Sequence, residues 1–331
     1  MGTDLFVKIQ YGGQTSAYAT EAATTSEIGK VQGFTPINEN GLVLERGIGD
    51  GRDVSNTLYG PYTCGGSLSW HVHDFAFLKH WVGFQDGSGT AGSPYKLNEV
   101  DDVSLSTSSG LQVFSLEVNH LEGSTDDVDT YIGCVGNSFS LSGSIGEPVS
   151  ASGDFVARHV VSSTTGTAYT PVTTNPWMMY QGTWSFGSSP SALTGIQSFS
   201  VGYTNNLVIE RDAGSRFISQ PLTGPRDYSW SLVIKSTASV NSSLRDNFYG
   251  QANTPVDGVS SASPTADIEF KIALSEGSSS TNRNATIWFD QASITSIGKA
   301  VNLGQGLVIY SVSGVAKSAK DNAFIKWWTV S

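Results

Sequence analysis

Three histidines lie close together in the chain, His71, His73 and His80, and imidazoles at such spacing could begin a zinc site. On a strand the first two would share a face. A zinc centre needs three or four ligands, each oriented by a further hydrogen bond, and the positions that align with His71 and His73 later in the chain are Lys235 and Thr237. No metal site is expected. Asp126, Asp127 and Asp129 could hold a hard cation, but the Gly-centred loop and trailing Glu of a calcium motif are missing, so they read as a solvated acidic turn. Cys64 and Cys134 could form one bridge or supply a nucleophile; aligned with Tyr228 and Phe289, they read as core positions. There is no Gly-rich phosphate loop and no nucleophile elbow. Asn241-Ser242-Ser243 and Asn284-Ala285-Thr286 match glycosylation acceptors, a short pattern frequent by chance. The expectation is a protein with no catalytic residue, no cofactor and no metal.

The elements that would carry these residues follow from composition. At 331 residues the chain is about twice the ~150 of a typical domain. Charged residues make up 14%, against ~25% on average, which excludes a coiled coil. Hydrophobic residues at 38% are too many for a disordered chain, and no apolar run reaches the ~18 residues of a membrane helix. A net charge of -11 disfavours gripping nucleic-acid phosphates. The start, Met1-Gly2-Thr3-Asp4, shows no targeting segment.

The chain repeats itself. Residues 31–46 align without a gap to 196–211, with seven identities in sixteen positions. Gln32 matches Gln197, Phe34 matches Phe199, Asn40 matches Asn205, and Leu42 matches Leu207. Val43, Glu45 and Arg46 match Val208, Glu210 and Arg211. Gly60, Pro61, Ser67 and Leu68 then meet Gly224, Pro225, Ser231 and Leu232; Leu116, Val118, Glu122 and Gly123 meet Phe270, Ile272, Glu276 and Gly277; and Gly146 and Val149 meet Gly298 and Val301. Two tandem domains are expected, 1–165 and 166–331, joined by a Ser, Thr, Pro linker at about 162–180.

Each copy reads as mainly β. Phe114, Leu116 and Val118 alternate with Ser115, Glu117 and Asn119, a strand with one buried face, and Ile268, Phe270 and Ile272 do the same. Val31–Phe34, Leu42–Leu44, Ile132–Val135 and Leu307–Tyr310 read as short strands. One helix of two or three turns per copy is signalled by Phe75, Leu78, Trp81 and Val82 after Asp74, and by Val240, Leu244 and Phe248 after Asn241. A few strands make an open sheet, and little on these edges blunts pairing with a neighbour.

The matched run ending in Asn, Leu and Glu-Arg, then a Gly-rich hairpin loop, then Gly-Pro with a second strand, then a helix, resembles the tail tube proteins of tailed phages and archaeal head-tail viruses, in the form with two fused tube domains. The likeness covers about residues 27–160 and 190–315. It implies that each domain is a β-sheet or sandwich with one short helix, lending about four strands to an oligomeric β-barrel. Six domains close one ring, so two per chain imply a homotrimeric, pseudo-sixfold ring, with six chains as the alternative. About 24 strands spaced ~4.8 Å apart and tilted ~40° close into a cylinder roughly 45 to 50 Å across, leaving a lumen on the order of 40 Å. The resemblance further implies stacked rings, a virion location with assembly in the host cytoplasm, and DNA passing through without specific binding. Tail terminator, tape measure and baseplate proteins would be the other partners.

The family reaches the adjacent ring with the hairpin loop between its second and third strands. Carried over, the loops are Gly47 to Tyr59 and Asp212 to Thr223, whose Arg52, Asp53, Arg216 and Phe217, with Arg46 and Arg211, would make inter-ring ion pairs and apolar plugs. Pro36 and Gly41 are expected to interrupt a strand that the second copy keeps cleaner. Two rival readings remain. A carbohydrate-binding pair of β-sandwiches would place aromatics in exposed loops, whereas Trp70, Trp81 and Trp230 fall in or near predicted strands and the helix. A β-rich hydrolase needs two converging carboxylates, and only Glu45/Glu210 and Glu122/Glu276 repeat.

Overall fold

The computed structural model describes residues 6–13, 18–45, 54, 56–101, 103–104, 110–122, 125–169, 171–187, 191–235, 244, 248–249, 268–277, 282–302 and 307–329. The fold is mainly β. In chain order come β1 (Phe6–Gly13), β2 (Ser26–Glu27), β3 (Lys30–Glu45) and β4 (Asn56–His71), then a 3-10 turn (Ala76–Leu78) leading into α1 (Lys79–Val82). β5 (Gly83–Asp86), β6 (Tyr95–Glu99), β7 (Val103–Ser104) and β8 (Leu111–Gln112) precede β9 (Phe114–Glu122), β10 (Thr125–Ser144), β11 (Ser150–Ala157) and β12 (His159–Ser163). A second 3-10 turn (Met179–Gln181) leads to β13 (Gly182–Gly187), β14 (Ser191–Leu193), β15 (Ile196–Thr204) and β16 (Asp227–Lys235). The chain ends with β17 (Glu269–Ser275), β18 (Arg283–Asn302), β19 (Leu307–Ala319) and β20 (Ala323–Thr329).

Two long strands organise everything. β10 and β18 each run 20 residues and carry a bulge near the middle, at Gly136/Ser138 and at Ile294/Ser296. An extra residue there bends a strand, so its two parts can serve different sheets. β10 pairs with β9 and β12 as far as Cys134, with β11 from Val135 on, and with β15 beyond the bulge. β18 pairs with β17 and β20 as far as Phe289, and from Phe289 on it pairs with β19, through its bulge. The later parts build one eight-stranded antiparallel sheet in the order β3-β4-β11-β10-β15-β16-β19-β18. The earlier parts build two smaller covering sheets, β2-β1-β9-β10-β12 and β14-β13-β17-β18-β20-β6-β5.

Aromatic rings fill the space between layers. Phe114 on β9 meets Phe155 on β11 at 5.6 Å, and Phe270 on β17 stacks on Trp230 of β16 at 4.8 Å. Trp81 of α1 has no exposed surface, donates its indole N–H to the Asp154 carbonyl at 2.9 Å, and lies against Gly136 and Gly153. A Cβ on Gly136 would stand 2.5 Å from that indole, so glycine is required for the close approach.

Several expectations need correction. β3 runs unbroken through Pro36 and Gly41, while its counterpart β15 stops at Thr204. Proline is tolerated because β3 is an edge strand, and Gly41 sits at a bulge between Asn40 and Leu42. Asp126, Asp127 and Asp129 lie on β10, paired with β9, and not in a turn; Asp129 accepts the Ser162 hydroxyl at 2.7 Å and Asp126 the Gly166 N–H at 3.1 Å. β9 is buried on both faces: Ser115, Glu117 and Asn119 are under 5% exposed because the 18–25 and 163–167 segments lie over them. The Glu117 carboxylate accepts the hydroxyls of Thr24 and Thr167 at 2.7 and 2.6 Å. The expected short strands are pieces of longer ones. The first helix is one 3-10 turn plus four α residues, and Phe77 and His80 are buried along with Phe75, Leu78, Trp81 and Val82, so it is enclosed by the core instead of covering one side of a sheet. In the second half Leu244 and Phe248 are helical, whereas Val240 and Asn241 lie outside the described residues.

Candidate functional site: an internal seam and two open edges

The β10–β15 ladder joins the two halves of the large sheet. It pairs Ser138 with Thr204, Ser140 with Gly202, Ser142 with Ser200 and Ser144 with Ser198. On its core side Phe139 stacks on Tyr203 at 5.4 Å. The ladder is secured at both ends. At one, the Ile145 N–H donates to the Gln197 carbonyl at 3.0 Å. At the other, Asn205, only 2% exposed, donates its amide to the carbonyls of Trp81 at 2.7 Å and Gly136 at 3.0 Å. Its backbone N–H reaches the bulged Asn137 carbonyl at 2.8 Å, and the Asn137 side chain accepts the Leu207 N–H at 3.0 Å.

Further links stitch the halves. β6, from the first half of the chain, pairs with β20 near its end. Glu99 at the end of β6 accepts the Tyr228 hydroxyl and pairs with Arg226, which also pairs with Asp101. Burial pushes the Glu99 carboxyl upward against the pull of Tyr228 and Arg226. Arg283 pairs with Glu276 and donates to the carbonyls of His73 at 2.6 Å and Asn175 at 2.8 Å.

Among the described residues the large sheet does not close on itself: β3 has no strand beyond it at one end, nor has the Ala292–Asn302 part of β18 at the other. Ile37 on β3 is 43% exposed and Val301 on β18 is 56% exposed. Unsatisfied strand edges with apolar side chains are the sites where another chain can add.

One face of this sheet is paved with serine. A single cross-strand row holds Ser150, Ser142, Ser200, Ser231, Ser313 and Ser296, with His71 and Lys30 completing it to the β3 edge. Neighbouring hydroxyls bond across strands, Ser140 to Ser152 at 2.9 Å and Ser296 to Ser313 at 2.6 Å. A depression of about 400 Å³ in this face has Asp154 as its one charged lining residue, and that carboxylate is taken up by Ser138 and Asn137. Around the serines this face is small-chained, with charges of both signs toward its margins: Lys30, Lys235 and Lys317 against Glu39 and Asp227.

A family model of phage tail tube proteins matches residues 7–316. The chain belongs to the phage tail tube protein family. Membership makes it a structural component of a viral tail, in a family without enzymatic activity. No curated protein matches the chain.

The residues singled out by sequence fall at several places in this tail tube family member. Gln32 and Gln197 occupy equivalent bulges, in the β3–β4 and β15–β16 ladders, and each donates its amide two residues back, to Lys30 and Gly195, both at 3.2 Å. Phe199 is buried and Phe34 half-buried; Leu42 and Glu45 lie on the exposed arm of β3, and Leu207 and Glu210 on the non-strand arm that follows Asn205. Arg216 and Phe217 meet the first arm of the same chain. The Arg216 guanidinium donates to the Gly60 carbonyl at 2.9 Å and the Asn40 side-chain oxygen at 2.6 Å and covers Tyr59 at 4.8 Å, while Phe217 stands edge-on to Tyr62 at 5.6 Å. Arg211 reaches the Tyr62 carbonyl at 3.1 Å. Arg46, Arg52 and Asp53 lie outside the described residues.

His71 bonds Ser150 at 3.1 Å, His73 the Thr174 carbonyl at 2.5 Å and His80 the Gln112 carbonyl at 2.9 Å, three separate environments. Burial lowers the pKa of His73 and, most strongly, of His80. Cys64 and Cys134 are buried free thiols whose pKa values burial raises. Trp70, Trp81 and Trp230 are at most 2% exposed, so these aromatics pack and do not line a sugar site. Sequence reasoning missed Asn137 and Thr295, the bulged residues; a polar residue in the middle of an apolar alternation is their only signal.

Proposed function

We propose that three copies of this chain close a ring, and that stacked rings form the channel through which a viral genome leaves the particle. One observation carries this reading: the strands left open at the two ends of the large sheet are the counterparts of the two that pair at its centre. The order β3-β4-β11-β10 recurs as β15-β16-β19-β18, with bulges at corresponding places. A sheet whose last strand is matched to its first can continue through a neighbour and meet itself around a circle. The same correspondence supports a division into two repeated units, 1–165 and 166–331, and three chains of eight strands would supply about 24, enough for an open lumen instead of a filled core.

The serine face would line that lumen. Small hydroxyls, with Lys30, Lys235 and Lys317 offset by Glu39, Asp154 and Asp227, give DNA phosphates little to hold, so the duplex slides without specific binding. The two arms, with Arg46, Arg52, Asp53, Arg211, Arg216 and Phe217, would contact the adjacent ring, and terminator, tape measure and baseplate proteins would meet the tube at its ends and inside. Negative-stain microscopy of the purified protein at rising concentration tests the reading. Stacked rings with a central hole on the order of 40 Å are expected; a persistent monomer that binds glycans would replace it with the sugar-binding alternative.

A further inference from the structure

Asn40 and Asn205 are the same residue at matched positions, yet one is exposed and the other 2% exposed. Asn205 is buried because the β10 bulge stands beside it and takes its amide. Beside Asn40 there is no strand among the described residues, although an equivalent bulge exists at the opposite end of the sheet. Asn137 and Thr295 are the bulged residues, so β10 positions correspond to β18 positions 158 later; Gln32 and Gln197 set the spacing of β3 and β15 at 165.

We infer that Asn40 is the lock of the contact between chains, docking on the β18 bulge of a neighbouring copy and donating its amide to the carbonyl equivalent to that of Gly136, which is Ile294. This rests on the ring reading above and adds to it a register and a deciding residue. Transposing the internal ladder puts Glu39 opposite Ser296, Ile37 opposite Gly298 and Thr35 opposite Ala300 of the neighbour. The oxygen of Asn40 already accepts from Arg216 within the chain, which leaves the N–H groups for the neighbour. The first arm can adjust to this contact, because Gly41 and Gly60 lie against one another across it and leave little side-chain bulk at that level.

Asn40→Asp separates the roles. A carboxylate keeps the contact with Arg216 but has no N–H to offer and faces a carbonyl, so the variant should fold as a monomer and need at least about tenfold more protein to reach half-assembly in sedimentation velocity, the scale of one lost hydrogen bond with its acceptor left facing a negative charge. Circular dichroism and thermal unfolding of the dilute chain show whether the fold is intact. Asn40→Asp assembling like the unaltered protein overturns the lock and leaves the ring standing. An unaltered protein that stays monomeric at every concentration overturns both. For the register, chains carrying Glu39→Cys are mixed with chains carrying Ser296→Cys and oxidised; a disulfide-linked dimer within assembled rings is expected, and assembled rings without that cross-link overturn the register even if Asn40→Asp behaves as stated.

Discussion

Two stretches of this chain share a pattern of residues and differ in shape. Asn40–Glu45 continues β3 as an edge strand paired with β4, with Leu42, Val43 and Leu44 each more than half exposed. Asn205–Glu210 leaves the sheet: β15 ends at Thr204, Asn206 adopts a left-handed φ of 48°, and Val208 forms only an isolated bridge with Leu222. Local propensity is nearly the same in both, so surroundings decide. Asn205 has a bulge to dock on and the second arm lies down on the first; among the described residues Asn40 has no such neighbour. The internal seam is thus a picture of what a satisfied edge looks like, and the outer edges show the same parts waiting.

The sharpest way to break this comparison is to mutate the two asparagines in the dilute chain. Asn205→Ala leaves the carbonyls of Trp81 and Gly136 without their donor in a buried place, which should cost about 2–4 kcal/mol in urea unfolding. Asn40→Ala should cost within ~0.5 kcal/mol, since its site is exposed. Equal losses would mean that the seam does not depend on its asparagine, and the contrast between buried and open edges would lose its meaning.

Strand alternation was legible from residues such as Phe114, Leu116 and Val118, because a period of two needs only local information. So was the pairing of Gln32 with Gln197. What escaped were features set by distant partners. The alignment of Cys134 with Phe289 slips: in the ladders Tyr131 faces Leu116 as Phe289 faces Phe270, and Cys134 faces Phe114 three residues on. Gly298 likewise lies within β18 opposite Ser311, whereas Gly146 lies in the turn between β10 and β11. Bulges shift register silently, since nothing in the residue types counts the extra position. The crossing of β6 to β20 joins residues more than 220 apart and has no local signature. Of the seam, its repeated residues could be read; that one copy of Asn is buried and the other open could not.

The halves also differ in how they should answer acid. All five histidines, His71, His73, His80, His120 and His159, lie in the first half. His80 is fully buried among Tyr11, Phe77 and Phe114, beside Lys79, with its Nδ1 at the Gln112 carbonyl; burial and then Lys79 hold its pKa well below the ordinary 6.5. A histidine with a depressed folded pKa takes up its proton more readily when unfolded. Stability is therefore full above about 6.5 and falls as pH drops below it, by up to ~1.4 kcal/mol per pH unit for this one group. Hydrogen exchange at pH 7.5 and 5.5 should show α1 and β9 opening first in acid, with β16 and β19 protected; uniform loss across both halves would place the acid-sensitive groups elsewhere.

The smallest effect belongs to the arm contact. Arg216→Ala removes two hydrogen bonds, to the Gly60 carbonyl and the Asn40 oxygen, and the guanidinium over Tyr59. Exposed contacts of this kind contribute about 1 kcal/mol or less, so global unfolding should hardly move. The local consequence is larger, because residues 207–222 make few ladder bonds of their own and depend on the first arm for position. Their amides should exchange several-fold faster while those of β15 and β16 stay protected. The Tyr62 N–H to Arg216 carbonyl bond at 3.0 Å and the Phe217 ring on Tyr62 survive the substitution. Unchanged exchange would therefore assign the arm's position to the backbone bond and Phe217. Adding Phe217→Ala would then release it if side-chain packing is what holds one arm upon the other.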